Sequence, residues 1–238
     1  TPENIIIAVA GNVSSDEVYD KIQDHFSDIK PKQIQANTSP PNHQQGITVV
    51  EREIGQSHLC MGFPGPNATD DSRYLAEMMT SVLGGGSTSR LFDRIREQEG
   101  LAYSIYSFRS GYRMAGCLGV YAAVAPQNLQ KTHTLIWEEI GKLQDAPVPE
   151  DEMAINREQI RGGILLALES TSNRASHMAR SVFYHGRIID PSEMVTAIES
   201  VTADQIQQFA QKTLTSEKCA GVVLGPPPDT DEKGVPDE

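Results

Sequence analysis

The sequence is short of several things, and each shortage excludes something. No stretch of its 238 residues approaches the roughly 18 uninterrupted apolar residues that a membrane-spanning helix requires. Cysteine is scarce: Cys60, Cys117 and Cys219 are an odd, widely spaced set. Such a set argues against a disulfide scaffold and fits a reducing compartment. All three lie in apolar, strand-like runs, so each is expected to be a buried, inert thiol. Positive charge is short as well: 20 Lys and Arg against 32 Asp and Glu leave a net charge of −12. That balance suits phosphate backbones badly, so nucleic acid is not an expected partner, whereas cationic peptides are mildly favoured by long-range attraction. The first residues, Thr1-Pro2-Glu3-Asn4, carry no basic region and no cleavage-site pattern and do not read as a signal peptide. They also lack an initiator Met, as a processed or excised chain would. A cytoplasmic, bacterial setting is the expectation, with the periplasm or mitochondrial matrix as alternatives.

The usual catalytic signatures are missing too. The histidines are His25, His43, His58, His133, His177 and His185, and no H-E-x-x-H or H-x-x-E-H pair occurs among them. His133 has Glu138 five residues on, on the wrong helix face, and His177 and His185 would sit roughly 80° apart around a helix. No C-x-x-C is present. Each His therefore reads as a surface or core-edge residue; no metal site is expected in this chain, and no complete catalytic set. Gly84-Gly85-Gly86-Ser87-Thr88-Ser89 is not a phosphate loop: Walker A needs a Lys before the Ser/Thr, and a dinucleotide fingerprint needs a preceding strand. G-x-S-x-G is absent as well.

What is present is the patterning of a packed domain, with 38% hydrophobic and 22% charged residues. Ile5 to Gly11 reads as a buried strand, and Ser14-Ser15-Asp16-Glu17 as a capping box opening a helix through Val18, Ile22, Phe26 and Ile29. Residues 30–46, with Pro40-Pro41, have a linker's composition. Residues 1–29 thus resemble the tail of a preceding domain. Strands are expected over Ile47–Val50 and Ser57–Phe63, then a helix carrying Leu75, Met78, Met79, Val82 and Leu83 on one face, ended by the glycine triplet. A second helix is expected over Ser87–Glu99, with Gly100 in the left-handed position after it and Leu101 folding back on Ile95. Tyr103–Phe108 and Cys117–Ala125 read as antiparallel strands. Helices follow over 127–144, from Pro149 to about Ser170, and over Asn173–Tyr184; two more start at Asp190-Pro191 and at the Thr202–Gln205 capping box. Cys219–Leu224 is a last strand, and Pro226 to Glu238 an acidic, disordered tail. Such segregated runs predict an α+β layer, with helices on one face of a mostly antiparallel sheet.

One cluster is more specific. Leu83-Gly84-Gly85-Gly86-Ser87-Thr88-Ser89-Arg90-Leu91-Phe92, continuing through Arg94, Arg96 and Gly100-Leu101-Ala102-Tyr103-Ser104, closely resembles the opening motif of the C-terminal half of the M16 metallopeptidases, the pitrilysin, insulinase and processing-peptidase family. Gly55-Gln56-Ser57-His58 with Phe63-Pro64-Gly65-Pro66 resembles that half's first core strand. Leu168–Ala175, Tyr184–Arg187 and Val201–Asp204 resemble its later signatures, in the same order. The match covers nearly all of residues 1–225, with residues 1–29 resembling the end of the N-terminal half and residues 47–225 the C-terminal domain.

The resemblance implies the M16 peptidase (LuxS-like) half-fold and a division of labour. Zinc, with its general-base Glu, belongs to an N-terminal half absent from this chain, carried on the same polypeptide or on a partner subunit. The C-terminal half faces it across a chamber and holds the peptide substrate. The family's Arg and Tyr, seven residues apart, fall on Arg96 and Tyr103, and Gly84, Gly85, Gly86 and Ser87 become a candidate chamber loop. An Arg fork can grip a carbonyl or carboxylate, and a Tyr hydroxyl can donate to a scissile carbonyl as charge develops. The plain alternative is an Arg capping its helix beside a Glu, with Tyr103 a strand aromatic. Arg174 and Arg187 read as salt-bridge residues, and Glu169 as a carboxylate in the packing layer. This chain alone is expected to be inactive. The alternative reading is a non-catalytic subunit, like the family's core proteins in respiratory complexes. Dimerisation through Ile5–Val9 is a further expectation, because an unpaired apolar strand seeks another edge.

Overall fold

Strict alternation along β2 (Ser57–Gly65) buries Leu59, Met61 and Phe63 and turns His58 and Cys60 to the other side. The same period of two on β4 (Gly116–Val124) buries Leu118, Val120, Ala122 and Val124. These two strands pair antiparallel at the centre of a five-stranded sheet that also holds β1 (Gly46–Glu51), β3 (Ala102–Gly111) and β5 (Ala220–Gly225). In this computed structural model, which describes residues 1–31 and 39–226, the strand order is β1-β5-β2-β4-β3. Every pairing is antiparallel except β1 with β5. The fold is α+β. Residues 32–38 of the expected linker and 227–238 of the expected tail lie outside the described residues.

Helices α2 (Arg73–Gly84), α3 (Leu129–Asp145) and α7 (Ala203–Thr213) cover one face of this sheet. Met78, Met79 and Leu83, Ile136, Ile140 and Leu143, and Ile206 and Ala210 are the inward positions of the three helices. Phe63 meets the Trp137 ring edge-on at 5.8 Å between centroids. Burying each Leu, Ile, Met or Phe among them stabilises by about 1.5–3 kcal/mol before conformational entropy is counted. Thr202 and Gln205 form the expected capping box at the start of α7.

The chain divides into two compact units, Thr1–Pro40 with Arg161–Thr196, and Pro41–Ile160 with Ala197–Glu238. The sheet and its covering helices belong to the second. The first contains α1 (Ser15–Phe26), residues 161–167 of α4 (Glu150–Ala167), α5 (Thr171–His185) and the start of α6 (Pro191–Glu199). Asp190 Oδ1 accepts from the Ser192 amide at 2.8 Å, and Glu193 Oε1 accepts from the Asp190 amide at 3.2 Å, so the predicted start of α6 is realised.

Three expectations fail in the first unit. Ile5–Gly11 is not a strand, and Ile5, Ile6, Ile7 and Val9 are exposed. A β-branched run becomes a strand only against a neighbour whose amides and carbonyls it can pair, and the described residues offer it none. Ser14 is the N-cap of α1, but its side chain makes no capping bond, and α1 buries no residue. The helix from Pro149 stops at Ala167, and Glu169 is an exposed residue of the turn that follows, not part of a packing layer.

Candidate functional site

The segment that the sequence singled out is a helix, a turn and a strand, each with a local irregularity. Instead of a plain α-helix to Glu99, Phe92–Gln98 are wound as a π-helix, with Ile95 fully buried beneath it. The wider turn carries one extra residue and changes where the following side chains emerge. Gly100 then takes φ +62°, a left-handed conformation that costs other residues strain. The Leu101 amide donates back to the Ile95 carbonyl at 2.9 Å, closing the helix end. On β3, pairing runs Ala102 with Val124 and Ser104 with Ala123, so Tyr103 is the extra residue of a β-bulge. Bulges bend a strand and re-aim a side chain, and Tyr103 is 77% exposed.

These irregularities bring Arg96 and Tyr103 together. The Arg96 guanidinium carbon lies 4.8 Å from the centre of the Phe92 ring and 5.9 Å from that of Tyr103, within reach of cation–π attraction. A nearby acid in sequence, Glu99, is engaged with other cations: it accepts from Lys131 at 2.6 Å and pairs with Arg94 at 2.8 Å. The Lys131 bond is the foremost reason that the Glu99 carboxyl is held below its usual range. Among the described residues Arg96 makes no ion pair. An exposed guanidinium fork and an exposed phenol therefore stand side by side, both free to donate to oxygen.

The glycine triplet lies apart from this chemistry in its local contacts. A Cβ on Gly84 would fall 2.4 Å from the Ser107 amide nitrogen, so the end of α2 meets β3 backbone to backbone. One on Gly86 would fall 2.6 Å from Gln159 Nε2. The Gly85 amide caps α2 on the Ser81 carbonyl at 3.0 Å, while Ser87 is exposed. Close packing accounts for Gly84 without a ligand, whereas the atom near Gly86 is the free end of the Gln159 side chain, which can move aside. A polar cleft of about 500 Å³ beside them is lined by Thr88, Arg90, Arg94, Glu139, Lys142 and Glu152. Asp93 and Gln98 line it too, and its polar groups are engaged: Arg90 grips Glu152 through two bonds of 2.8 Å, Lys142 holds Glu139 at 2.6 Å, Arg94 pairs with Glu99 at 2.8 Å, and Asp93 accepts from Gln98 at 2.7 Å.

The histidines are spread over the molecule in local roles. His58 Nδ1 shares a 2.7 Å hydrogen bond with the Tyr121 hydroxyl, His43 meets the Lys218 carbonyl at 2.8 Å, and His177 the Ile189 carbonyl at 2.8 Å. His133 accepts from Trp137 at 3.1 Å, and its burial lowers its pKa. No group of three or more His, Cys, Asp or Glu among the described residues could hold a metal ion, so the donor set here does not fit zinc. Arg187 grips Glu193 at 2.8 and 2.6 Å, a salt bridge as expected. Arg174 instead donates to the Leu168 carbonyl. Cys219 is buried and Cys117 half-buried, but Cys60 is exposed, contrary to the expectation of three buried thiols. Alternation decides this: Cys60 falls between Leu59 and Met61 and so points to the face that the helices leave open. Sequence reasoning missed Phe92 as the platform under Arg96; its i, i+4 spacing to Arg96 on a helix was the available signal.

The fold is thus a mixed sheet covered on one face by helices, with a cation–phenol pair beside one strand and no candidate metal cluster among the described residues. The sequence profile described as "Peptidase M16 inactive domain" matches residues 1–160. The chain belongs to the M16 peptidase family. It is 32% identical over 235 residues to an uncharacterized zinc protease of Mycobacterium leprae, covering 95% of this chain and 52% of the relative. The chain thus spans about half the length of the curated relatives it matches. Its fold is similar to the peptidase M16 inactive domain from Pseudomonas fluorescens, with a TM-score of 0.80 at 18% identity over 91% of this chain and 52% of that one. It is also similar to a chain of complex III2 from Candida albicans, with a TM-score of 0.75 at 14% identity over 90% of this chain and 53% of that one. No helix among the described residues is long and apolar enough to cross a membrane.

Proposed function

We propose that this chain is the substrate-holding half of a zinc-dependent M16-type endopeptidase, with the metal carried by another half on the same polypeptide or a partner subunit. The observation that supports it best is the unneutralised Arg96 guanidinium beside the exposed Tyr103 hydroxyl. In this reading Arg96 grips a backbone carbonyl of a bound peptide and Tyr103 donates to the carbonyl being cleaved. Both donors are set in place before reaction, so little reorganisation is needed as negative charge grows. The names of the relatives support zinc protease chemistry in the whole protein, and their organisms support a bacterial setting. In this reading residues 1–29 are the tail of the zinc-bearing half, residues 30–46 a linker, and residues 47–225 the substrate-binding domain. The loop from Gly84 to Ser87 would border the chamber.

The test is hydrolysis of a mixture of unstructured peptides by this chain alone and by the protein that includes a zinc-bearing half. The chain alone should cut nothing, and the completed protein should cut in a chelator-sensitive way. A completed protein that binds zinc, stays folded and cuts no peptide would favour the assembly-subunit alternative.

A further inference from the structure

The open face of the sheet carries a continuous aromatic band. The Phe108 ring lies so close over Gly119 that a Cβ there would meet its Cζ at 2.3 Å. The Tyr106 ring follows at 6.1 Å, Tyr121 at 5.1 Å from Tyr106, and His58 at 6.0 Å from Tyr121. These four side chains cross β3, β4 and β2 in order, through the register pairs Tyr106 with Tyr121 and Phe108 with Gly119. The band is not core: the buried side of the same strands holds Ile105, Ser107, Val120, Ala122, Leu59 and Met61. Tyr106 is 44% exposed, and the polar end of Tyr121 is already satisfied by His58. What remains open is chiefly Tyr106, its ring together with its hydroxyl.

We propose that this band is the subsite that selects the peptide's side chains, taking a large aromatic residue about three positions from the bond held at Arg96 and Tyr103. The inference rests on the substrate-holding reading above and adds to it a position and a preference. Tyr103 and Tyr106 are on one strand, three residues apart, which places the band's centre about 10 Å from the pair. An extended peptide covers that distance in about three residues. The occupant is a peptide aromatic because ring stacks on ring in offset or tilted geometry, and the band presents several ring faces in succession. Tyr and Phe give this contact area with few rotatable bonds to freeze. The chain's charge of −12 also favours a cationic peptide as the one that approaches.

The experiment measures fluorescence anisotropy of labelled nine-residue peptides on the full-length protein, with chelator present so that no peptide is cut. Peptides carry Phe or Ala three residues to either side of the centre. Wild type should bind the Phe peptide of one series about tenfold more tightly than its Ala counterpart. Tyr106→Ala should abolish the preference while melting stays unchanged, since this side chain is exposed. Tyr121→Phe should keep it, because the ring is retained. Arg96→Gln should weaken both peptides alike and leave the preference intact; if Arg96→Gln leaves both affinities unchanged with the preference present, the Arg96 reading fails and the band stands. Equal binding of Phe and Ala peptides to wild type, a preference that survives Tyr106→Ala, or one abolished by Arg96→Gln would each overturn the proposal.

Discussion

The guanidinium carbon of Arg96 stands 5.9 Å from the centre of the Tyr103 ring, although the reversal at Gly100 lies between them. Neither side chain would be there in regular structure. The π-helical winding of Phe92–Gln98 shifts the emergence of Arg96, and the bulge at Tyr103 lifts that residue out of the ladder. Both features interrupt backbone pairing at a cost in local stability, and both border the same pair. Local irregularity at a cost is common where function constrains the chain.

If Tyr103 stabilises the developing oxyanion, Tyr103→Phe in the completed protein removes one donor and almost no packing. Loss of such a donor typically lowers kcat by about 10²–10³, with KM changed less, because the bond strengthens only in the transition state. Arg96→Lys keeps the charge and loses the planar fork, so it should act mainly on kcat/KM. Steady-state kinetics with melting controls measure both. Near-wild-type turnover by both folded variants would assign the pair to structure alone.

Glu99 offers a subtler test, because it touches no candidate substrate position. Its carboxylate ties the turn to Lys131 on α3 and to Arg94. Glu99→Gln releases that clasp, so Arg96 should be held less firmly and kcat should fall severalfold with KM nearly constant. The pH dependence has a definite sign. The folded carboxyl titrates below its usual range, so the clasp persists above the ordinary Glu range and is lost as pH falls through the depressed pKa. The gap between wild type and Glu99→Gln should therefore close on acidification. A gap independent of pH would mean that the charge is not what holds the turn.

The sheet and its helices were legible because periodicity carries burial directly: Leu59, Met61 and Phe63 announce a strand, and Met78, Met79, Val82 and Leu83 a helix. The Arg96–Tyr103 pair was legible only through resemblance to a family. The features that bring the two together, a π-turn and a bulge, insert one residue into a regular element, and no periodic pattern marks such an insertion. Ile5–Gly11 was misread for a different reason. Its composition suits a strand, but a strand exists only with a partner, and partners are not encoded in the run itself. Cys60 shows the same limit on a smaller scale: an apolar run says "strand", and only the register says which face is covered.

The three thiols should separate by alkylation rate. Burial pushes the Cys219 thiol up to about 11, and also raises Cys117 and Cys60. Since the thiolate is the reacting species, at pH 8 almost no Cys219 is reactive, and access is closed as well. Exposed Cys60 should react first, more slowly than a free thiol, and Cys219 only when the chain unfolds or pH approaches 11. Iodoacetamide labelling followed by peptide mass spectrometry reads the order. Equal rates at Cys60 and Cys219 in the native chain would contradict the difference in burial that separates them.

Glycine-to-alanine substitutions should have opposite signs at two helical positions. In an open helix position the change removes backbone freedom from the unfolded chain and stabilises by about 0.4–1 kcal/mol. Gly163 in α4 is such a position, with nothing within 4 Å of an added Cβ. At Gly84 the same methyl would fall 2.4 Å from the Ser107 amide nitrogen and 2.9 Å from its Oγ. That hydroxyl already donates to the Thr80 carbonyl at 2.6 Å, and the Ser107 backbone belongs to β3, so neither can retreat easily. Overpacking of this kind costs about 1–3 kcal/mol, which outweighs the propensity gain. Urea unfolding should move to lower midpoint for Gly84→Ala and to higher midpoint for Gly163→Ala. A Gly84→Ala protein as stable as wild type would show that α2 and β3 can separate at little cost, and the glycine at the head of the loop would then need another explanation.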